Sequence, residues 1–105
     1  MNALTLKPLA VRIPKEIEKE ILEVVEREKL DKATVVRTLL EMGIVEWRKQ
    51  TALELLRDGK VTFAKAAEVA KLSLWEFADL VKQRNVEWVR YTSEEVEKEI
   101  KEASA

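Results

Sequence analysis

The side chains that most often carry out catalysis are missing from this chain of 105 residues. It contains no cysteine and no histidine, which removes thiolate chemistry, disulfides and the usual general base at neutral pH. Carboxylates are plentiful near the C-terminus, at Glu94, Glu95, Glu97 and Glu99. They lie on a predicted solvent-facing helix without a basic partner, a pocket or a metal-ligand spacing. We therefore expect no enzymatic activity, no cofactor and no metal site.

The overall charge does not favour binding to nucleic acid by bulk attraction. The net charge is −1, from 19 Lys and Arg against 20 Asp and Glu. Residues 92–105 hold two basic against five acidic side chains, so the excess acidity lies in the tail. Any DNA binding must therefore use a few well-placed basic groups, presented by two copies of the chain.

Length and composition predict a small helical protein that associates with itself. Hydrophobic residues make up 47% of the chain, with only two glycines and two prolines. A chain of this size is one domain or two very small ones, and each half alone would bury too little apolar surface. The sequence has neither a membrane-spanning apolar run nor the layout of a signal peptide. A cytoplasmic location is expected.

Amphipathic stripes and capping residues predict the helices. The first helix follows Pro14, and Asp31 is a suitable N-cap for a second helix that Gly43 would break or bring into close contact. A third helix ends in the C-cap signature Asp58-Gly59. Further helices follow Thr62 and the capping box Ser73–Glu76. The alternating segment VEWVRY, residues 86–91, predicts a short strand before an acidic tail helix.

The stretch LAVRIP near the N-terminus alternates as a strand does. Leu9, Val11 and Ile13 would point one way, and Ala10 and Arg12 the other. A solitary strand with an apolar face is not stable by itself, but it can pair antiparallel with the same strand of a second chain. Such a two-stranded ribbon would present Arg12 twice and fit the DNA major groove.

Two resemblances cover most of the chain. Residues 7–44, with V-R-I-P and D-K-A-T-V-V-R-T-L-L, resemble a ribbon-helix-helix domain, as in the Arc and MetJ repressors and many antitoxins. Residues 46 to about 103, with A-L-E-L-L-R-D-G-K-V-T-F-A-K-A-A-E-V-A-K-L-S-L-W-E-F, resemble a prokaryotic family of uncharacterised antitoxin-like proteins with a helix-turn-helix core. The implied fold is mainly α: an intertwined ribbon-helix-helix dimer over residues 1–44, then a helix-turn-helix module with a C-terminal strand and tail helix over 45–105.

The first resemblance implies a DNA-binding and dimerisation module. The DNA-facing positions of the strand would be Pro8, Ala10 and Arg12, of which only Arg12 can contact base edges directly, with Lys7 as a further basic group. Phosphate contacts would come from Lys32 and Thr34 at the start of the second helix. The alternative is that the basic residues are ordinary solvated side chains. The expected dimer interface comprises the apolar residues Leu9, Val11, Ile13, Val36, Leu39 and Leu40.

The second module shows a poor surface for reading DNA. Its second helix would present apolar Leu74 and Trp75 together with acidic Asp79. Aromatic side chains are common anchors of protein interfaces. The predicted partner-binding residues are Leu74, Trp75, Asp79, Trp88, Tyr91 and Glu95. Trp75 and Trp88 could instead fill the module's own core, and Trp47 is predicted to do so.

Three functions follow as expectations. The resemblances imply the antitoxin of a type II toxin-antitoxin pair, VapB-like in role, which represses its own operon and neutralises a partner toxin, most plausibly a PIN-domain ribonuclease. The alternatives are a stand-alone dimeric transcription regulator and a protein-interaction adaptor without a DNA role. A toxin-sized open reading frame beside the gene would favour the first.

Overall fold

The structure is a computed structural model that describes residues 5–87 and 100–101, and every secondary-structure element in these ranges is helical. The helices are α1 (Lys15–Glu28), α2 (Lys32–Arg57), α3 (Phe63–Ala70) and α4 (Leu74–Gln83). Ile100 and Lys101 are also helical. None of the helices in these ranges is long and apolar enough to cross a membrane.

The predicted N-terminal strand does not form, and the ribbon-helix-helix fold is therefore wrong. Residues 5–14 carry no regular secondary structure. Apolar alternation predicts a strand, but a strand is held by hydrogen bonds to a neighbouring strand, and the described residues contain none. Val86 and Glu87, which would start the predicted C-terminal strand, are not in a strand either. The rest of that segment and most of the tail helix lie outside the described residues.

The second and third predicted helices are one continuous helix. Asp31 caps α2 as predicted, since its carboxylate accepts from the Thr34 N–H at 3.1 Å. Gly43 does not break the helix, and a Cβ placed there would meet no atom of the described residues within 4 Å. One glycine lowers helix stability by only about 1 kcal/mol relative to alanine, which is too little to interrupt a helix of 26 residues.

Helices α3 and α4 form the predicted helix-turn-helix, and their caps are the predicted ones. The Thr62 side chain accepts from Lys65 N–H at 3.1 Å. Ser73 and Glu76 make both hydrogen bonds of the capping box, at 3.1 and 2.9 Å. Lys71 occupies the turn in the left-handed region, with φ 57° and ψ 40°. A non-glycine residue there destabilises the turn by roughly 1 kcal/mol.

Residue contacts divide the chain into two compact units, residues 1–40 and 41–105. The sequence-based modules, divided between residues 44 and 45, stay a prediction. In the first unit the described residues include one buried apolar side chain, Val35. The second unit has a continuous core, in which the rings of Phe63 and Phe77 meet edge to face with centroids 5.1 Å apart. The core also contains Ile100, from the segment predicted to be a solvated tail.

Candidate functional site

An apolar groove of about 870 Å³ runs through the first unit. Its walls come from the N-terminal segment, α1 and the first turns of α2. Most of its apolar side chains are exposed in the single chain, Val11 by 66%. The structure brings together here all six residues that the sequence assigned to a dimer interface, namely Leu9, Val11, Ile13, Val36, Leu39 and Leu40.

The predicted DNA-binding residues of the strand lie on the irregular N-terminal segment. Lys7, Ala10 and Arg12 are all exposed. Lys7 also lines the groove. Neither Lys7 nor Arg12 forms an ion pair with another described residue. Their charges are therefore not neutralised by the part of the chain that the structure describes.

The predicted phosphate-binding groups at the start of α2 already have partners. The Asp31 carboxylate accepts from both the backbone N–H and the hydroxyl of Thr34, at 3.1 and 2.6 Å. The side-chain and backbone hydrogen bonds from Thr34 lower the pKa of Asp31, so this carboxylate keeps its negative charge. Lys32 pairs with Glu18 at 3.3 Å. A phosphate at this helix end would have to compete with both carboxylates.

The first turn of α4 presents a large aromatic ring to solvent. Trp75 is 54% exposed, although it lies in a unit with a formed core. Leu74 packs partly against that core, and Asp79 is exposed one turn after Trp75. These three predicted partner-binding residues therefore lie within the first six residues of one short helix. The other three, Trp88, Tyr91 and Glu95, lie outside the described residues.

A two-pronged ion pair joins α2 to the end of α4. The two terminal guanidinium nitrogens of Arg84, Nη1 and Nη2, donate to the Glu46 carboxylate at 2.8 and 3.0 Å. The hydrogen bonds from Arg84 lower the pKa of Glu46, and the same contact raises that of Arg84. The hydrogen bond from the Ser73 backbone similarly lowers the pKa of Glu76 in the capping box. The glutamate at the middle of α2 is thereby neutralised within the chain.

Sequence reasoning missed an exposed apolar segment on α2. Trp47 was predicted to be a core residue, but it is 62% exposed. α2 reaches the core of the second unit only through later residues, Ala52, Leu53 and Leu56. The preceding turns expose large apolar side chains at Met42, Ile44 and Val45 as well as Trp47. The signal was present in the sequence, because these residues point to all sides of a helix and cannot all face one core.

Among the described residues no group of three acidic side chains is placed to hold a metal ion. What the structure offers is one apolar groove and two exposed tryptophans on a small helical protein with a helix-turn-helix. Exposed apolar surfaces of this kind are common at sites of macromolecular contact.

The chain belongs to the uncharacterised protein family UPF0175, whose model matches residues 40–105. It is similar to a UPF0175 protein of Archaeoglobus fulgidus, with 47% identity over 49 residues. That match covers 47% of this chain and 55% of the relative, so the chain spans about half the length of the curated relative. No solved structure matches.

The family match confirms the resemblance of the second half to an uncharacterised prokaryotic family. It begins at residue 40, and nothing in the comparisons supports the ribbon-helix-helix resemblance of residues 7–44.

Proposed function

We propose that the protein is the antitoxin of a type II toxin-antitoxin pair, acting in the cytoplasm. In this role it binds a protein toxin, with a PIN-domain ribonuclease as the favoured class, and represses its own operon by binding DNA as a homodimer. The observation that carries the proposal is the exposed Trp75 at the start of α4.

Trp75 favours a protein partner over DNA on this helix. In a helix-turn-helix that reads DNA, the first turns of the second helix face base edges, which are recognised mainly by hydrogen bonds. Here that turn carries an apolar ring, with acidic Asp79 one turn further on. Asp79 would repel phosphate, whereas a tryptophan ring is a frequent anchor of protein interfaces. The carboxylate of Asp79 suits a basic groove, such as the substrate groove of a ribonuclease.

The groove of the first unit supports self-association. Val35 is the one buried apolar side chain among residues 5–40, and α1 has no buried residue. Segments of about 40 residues or fewer rarely fold without additional support. A second copy is the partner always present at equal concentration, and it brings an identical apolar groove. Mutual burial of the two grooves would provide the missing core without requiring a strand.

DNA binding is assigned to Lys7 and Arg12. Both side chains are exposed, neither forms an ion pair with a described residue, and a dimer presents each of them twice. With a net charge of −1, binding depends on such local groups and should weaken steeply with salt. Arg12 carries the larger share, because its guanidinium can donate two hydrogen bonds to guanine or phosphate.

The test measures how tightly the parent and two variants bind each of two ligands. The ligands are the protein encoded by the reading frame beside the gene and the gene's own upstream DNA. Trp75→Ala should weaken binding of the neighbouring protein by at least about tenfold and leave DNA binding unchanged. Arg12→Ala should weaken binding of the upstream DNA by roughly tenfold to a hundredfold and leave protein binding unchanged.

Matched variants separate these losses from general damage. Leu22→Ala truncates another exposed apolar side chain, and Lys15→Ala removes another exposed charge, so both should behave like the parent. Equal protein binding by parent and Trp75→Ala would contradict the assignment of the toxin surface. If the neighbouring protein does not bind the parent while the DNA does, the stand-alone regulator replaces the antitoxin.

A further inference from the structure

Four of the described residues have a positive φ, and two of them are lysines. Gly59 and Asn85 belong to the residue types that adopt such a conformation routinely. Lys29 and Lys71, both with φ 57°, do not, because in this region the Cβ crowds the following carbonyl oxygen. Strained residues of this kind cluster at functional sites, although strain alone does not identify one.

The two lysines lie in different turns. Lys71 follows α3 and stands four residues before Trp75, whose ring is 54% exposed in the first turn of α4. Lys29 follows α1 and belongs to the first unit, whereas Lys71 and Trp75 belong to the second. Lys29 thus has the backbone conformation of Lys71 but does not lie in the turn that leads into the helix of Trp75.

The charge of Lys71 is not compensated by the described part of the chain. Its side chain is exposed and forms no ion pair with a described residue. The two acidic residues within five positions of it, Glu68 and Glu76, have other partners. Glu68 pairs with Lys65 at 3.6 Å. The Glu76 carboxylate accepts from the N–H of Ser73 at 2.9 Å. The ammonium group of Lys71 is therefore available to another molecule.

We infer, on the basis of the proposed function, that Lys71 determines the specificity of the surface formed by Leu74, Trp75 and Asp79 by pairing with a carboxylate of the partner protein. Lys71, Trp75 and Asp79 follow one another at intervals of four residues, with the cation before the ring and the carboxylate after it. The ring supplies contact area, and the two charges select the partner. A protein with the opposite arrangement of charges would meet like charges at both places and is rejected.

Three substitutions of Lys71 in the full-length protein separate its charge from its backbone strain. Lys71→Gly removes both, so the melting temperature should rise by up to roughly 5 °C while binding of the protein encoded beside the gene weakens by about three- to fivefold. Lys71→Gln should lose the same affinity without the gain in melting temperature, and Lys71→Arg should bind like the parent. The affinity differences should shrink at high salt, which screens exposed charges. Calorimetric titration and thermal melts measure both quantities.

Lys29→Gly is the matched control, because it makes the same change at the other lysine of this conformation. It should bind the neighbouring protein like the parent. The inference alone is overturned if Trp75→Ala loses binding while Lys71→Gly and Lys71→Gln keep it, if Lys71→Arg loses as much as Lys71→Gln, or if Lys29→Gly loses as much as Lys71→Gly. If the parent does not bind the neighbouring protein, the proposed function fails and this inference fails with it.

Discussion

The ion pair of Glu46 with Arg84 shows how individual residues stabilise the second unit. Its two hydrogen bonds have the two-pronged geometry that distinguishes arginine from lysine. The Glu46 side chain remains 44% exposed, so water screens the attraction. Its contribution is therefore to fix the orientation of α4 against α2 more than to add stability.

Glu46 makes stability depend on pH in a defined direction. Its pKa is below the ordinary value of 4.5 in the folded state, so its contribution is complete above pH 4.5 and is lost as the pH falls through the lowered pKa. Glu46→Gln should thus melt below the parent at neutral pH, and the gap should close in acid, where the parent's Glu46 is protonated. Thermal melts of both proteins between neutral and acidic pH measure this difference in melting temperature.

Glu54→Gln is the control for that series, because Glu54 is exposed and forms no ion pair with a described residue. It should track the parent throughout. If the difference in melting temperature between the parent and Glu46→Gln persists unchanged in acid, the stability that the variant loses does not come from the Glu46 charge.

At the scale of elements, the turn between α3 and α4 combines favourable hydrogen bonds with an unfavourable residue. The N–H of Leu72 donates to the Ala67 carbonyl at 3.0 Å and closes the end of α3. Lys71 supplies the left-handed residue that this closure needs, a position that usually takes glycine. The hydrogen bonds of the turn thus require a left-handed residue, and lysine is an unfavourable residue in that conformation.

Lys71→Gly should raise the free energy of unfolding by up to about 1 kcal/mol, because glycine adopts the left-handed conformation without strain. Lys82→Gly makes the same change inside α4 and should lower stability by a similar amount. Urea titrations of the three proteins give the comparison. Destabilisation by Lys71→Gly would mean that the lysine side chain stabilises the turn by more than its backbone strain costs.

Helix caps could be predicted from the sequence because they depend on neighbouring residues. Strand pairing and core contacts could not, because they depend on residues far away in the sequence or in another chain. The caps at Thr62 and Ser73 were predictable because each capping oxygen accepts from a backbone N–H only three residues further on. The strand over residues 9–13 was wrong because alternation marks an apolar face but supplies no neighbouring strand. Trp47 was misplaced because its apolar character was considered alone, although the apolar residues around it point to all sides of α2 and cannot all face one core.

At the scale of the whole molecule, the two units differ in how much apolar surface each of them buries, and the unit that buries little is the one expected to associate with another molecule. The second unit has a core in which two phenylalanine rings pack edge to face, whereas Val35 is the single buried apolar side chain among residues 5–40. The six residues predicted for the dimer interface line one groove, and their role in a dimer stays a prediction. What covers them depends on a second molecule, which periodicity within one chain does not describe.

Val11→Asp tests coverage of the groove. Val11 is 66% exposed in the single chain, so an aspartate there would be harmless to an isolated monomer. In a dimer that closes the groove it would bury two charges, which costs several kcal/mol. Light scattering should show loss of the dimer and melting should show a less stable first unit, whereas Leu22→Asp, outside the groove, should keep the parent's mass. An unchanged dimer in Val11→Asp would exclude the groove as its interface.

The burial of Ile100 affects how the protein is made. Ile100 is 1% exposed within a core whose other buried members lie between residues 52 and 80. During synthesis the ribosome adds about 5–20 residues per second, so Ile100 follows Leu80 by roughly 1–4 s. For that time Phe63 and Phe77 have been synthesised, but their last packing partner has not. The second unit can therefore complete its core only after Ile100 has been added, so a chain cut short before that residue would lack part of the core.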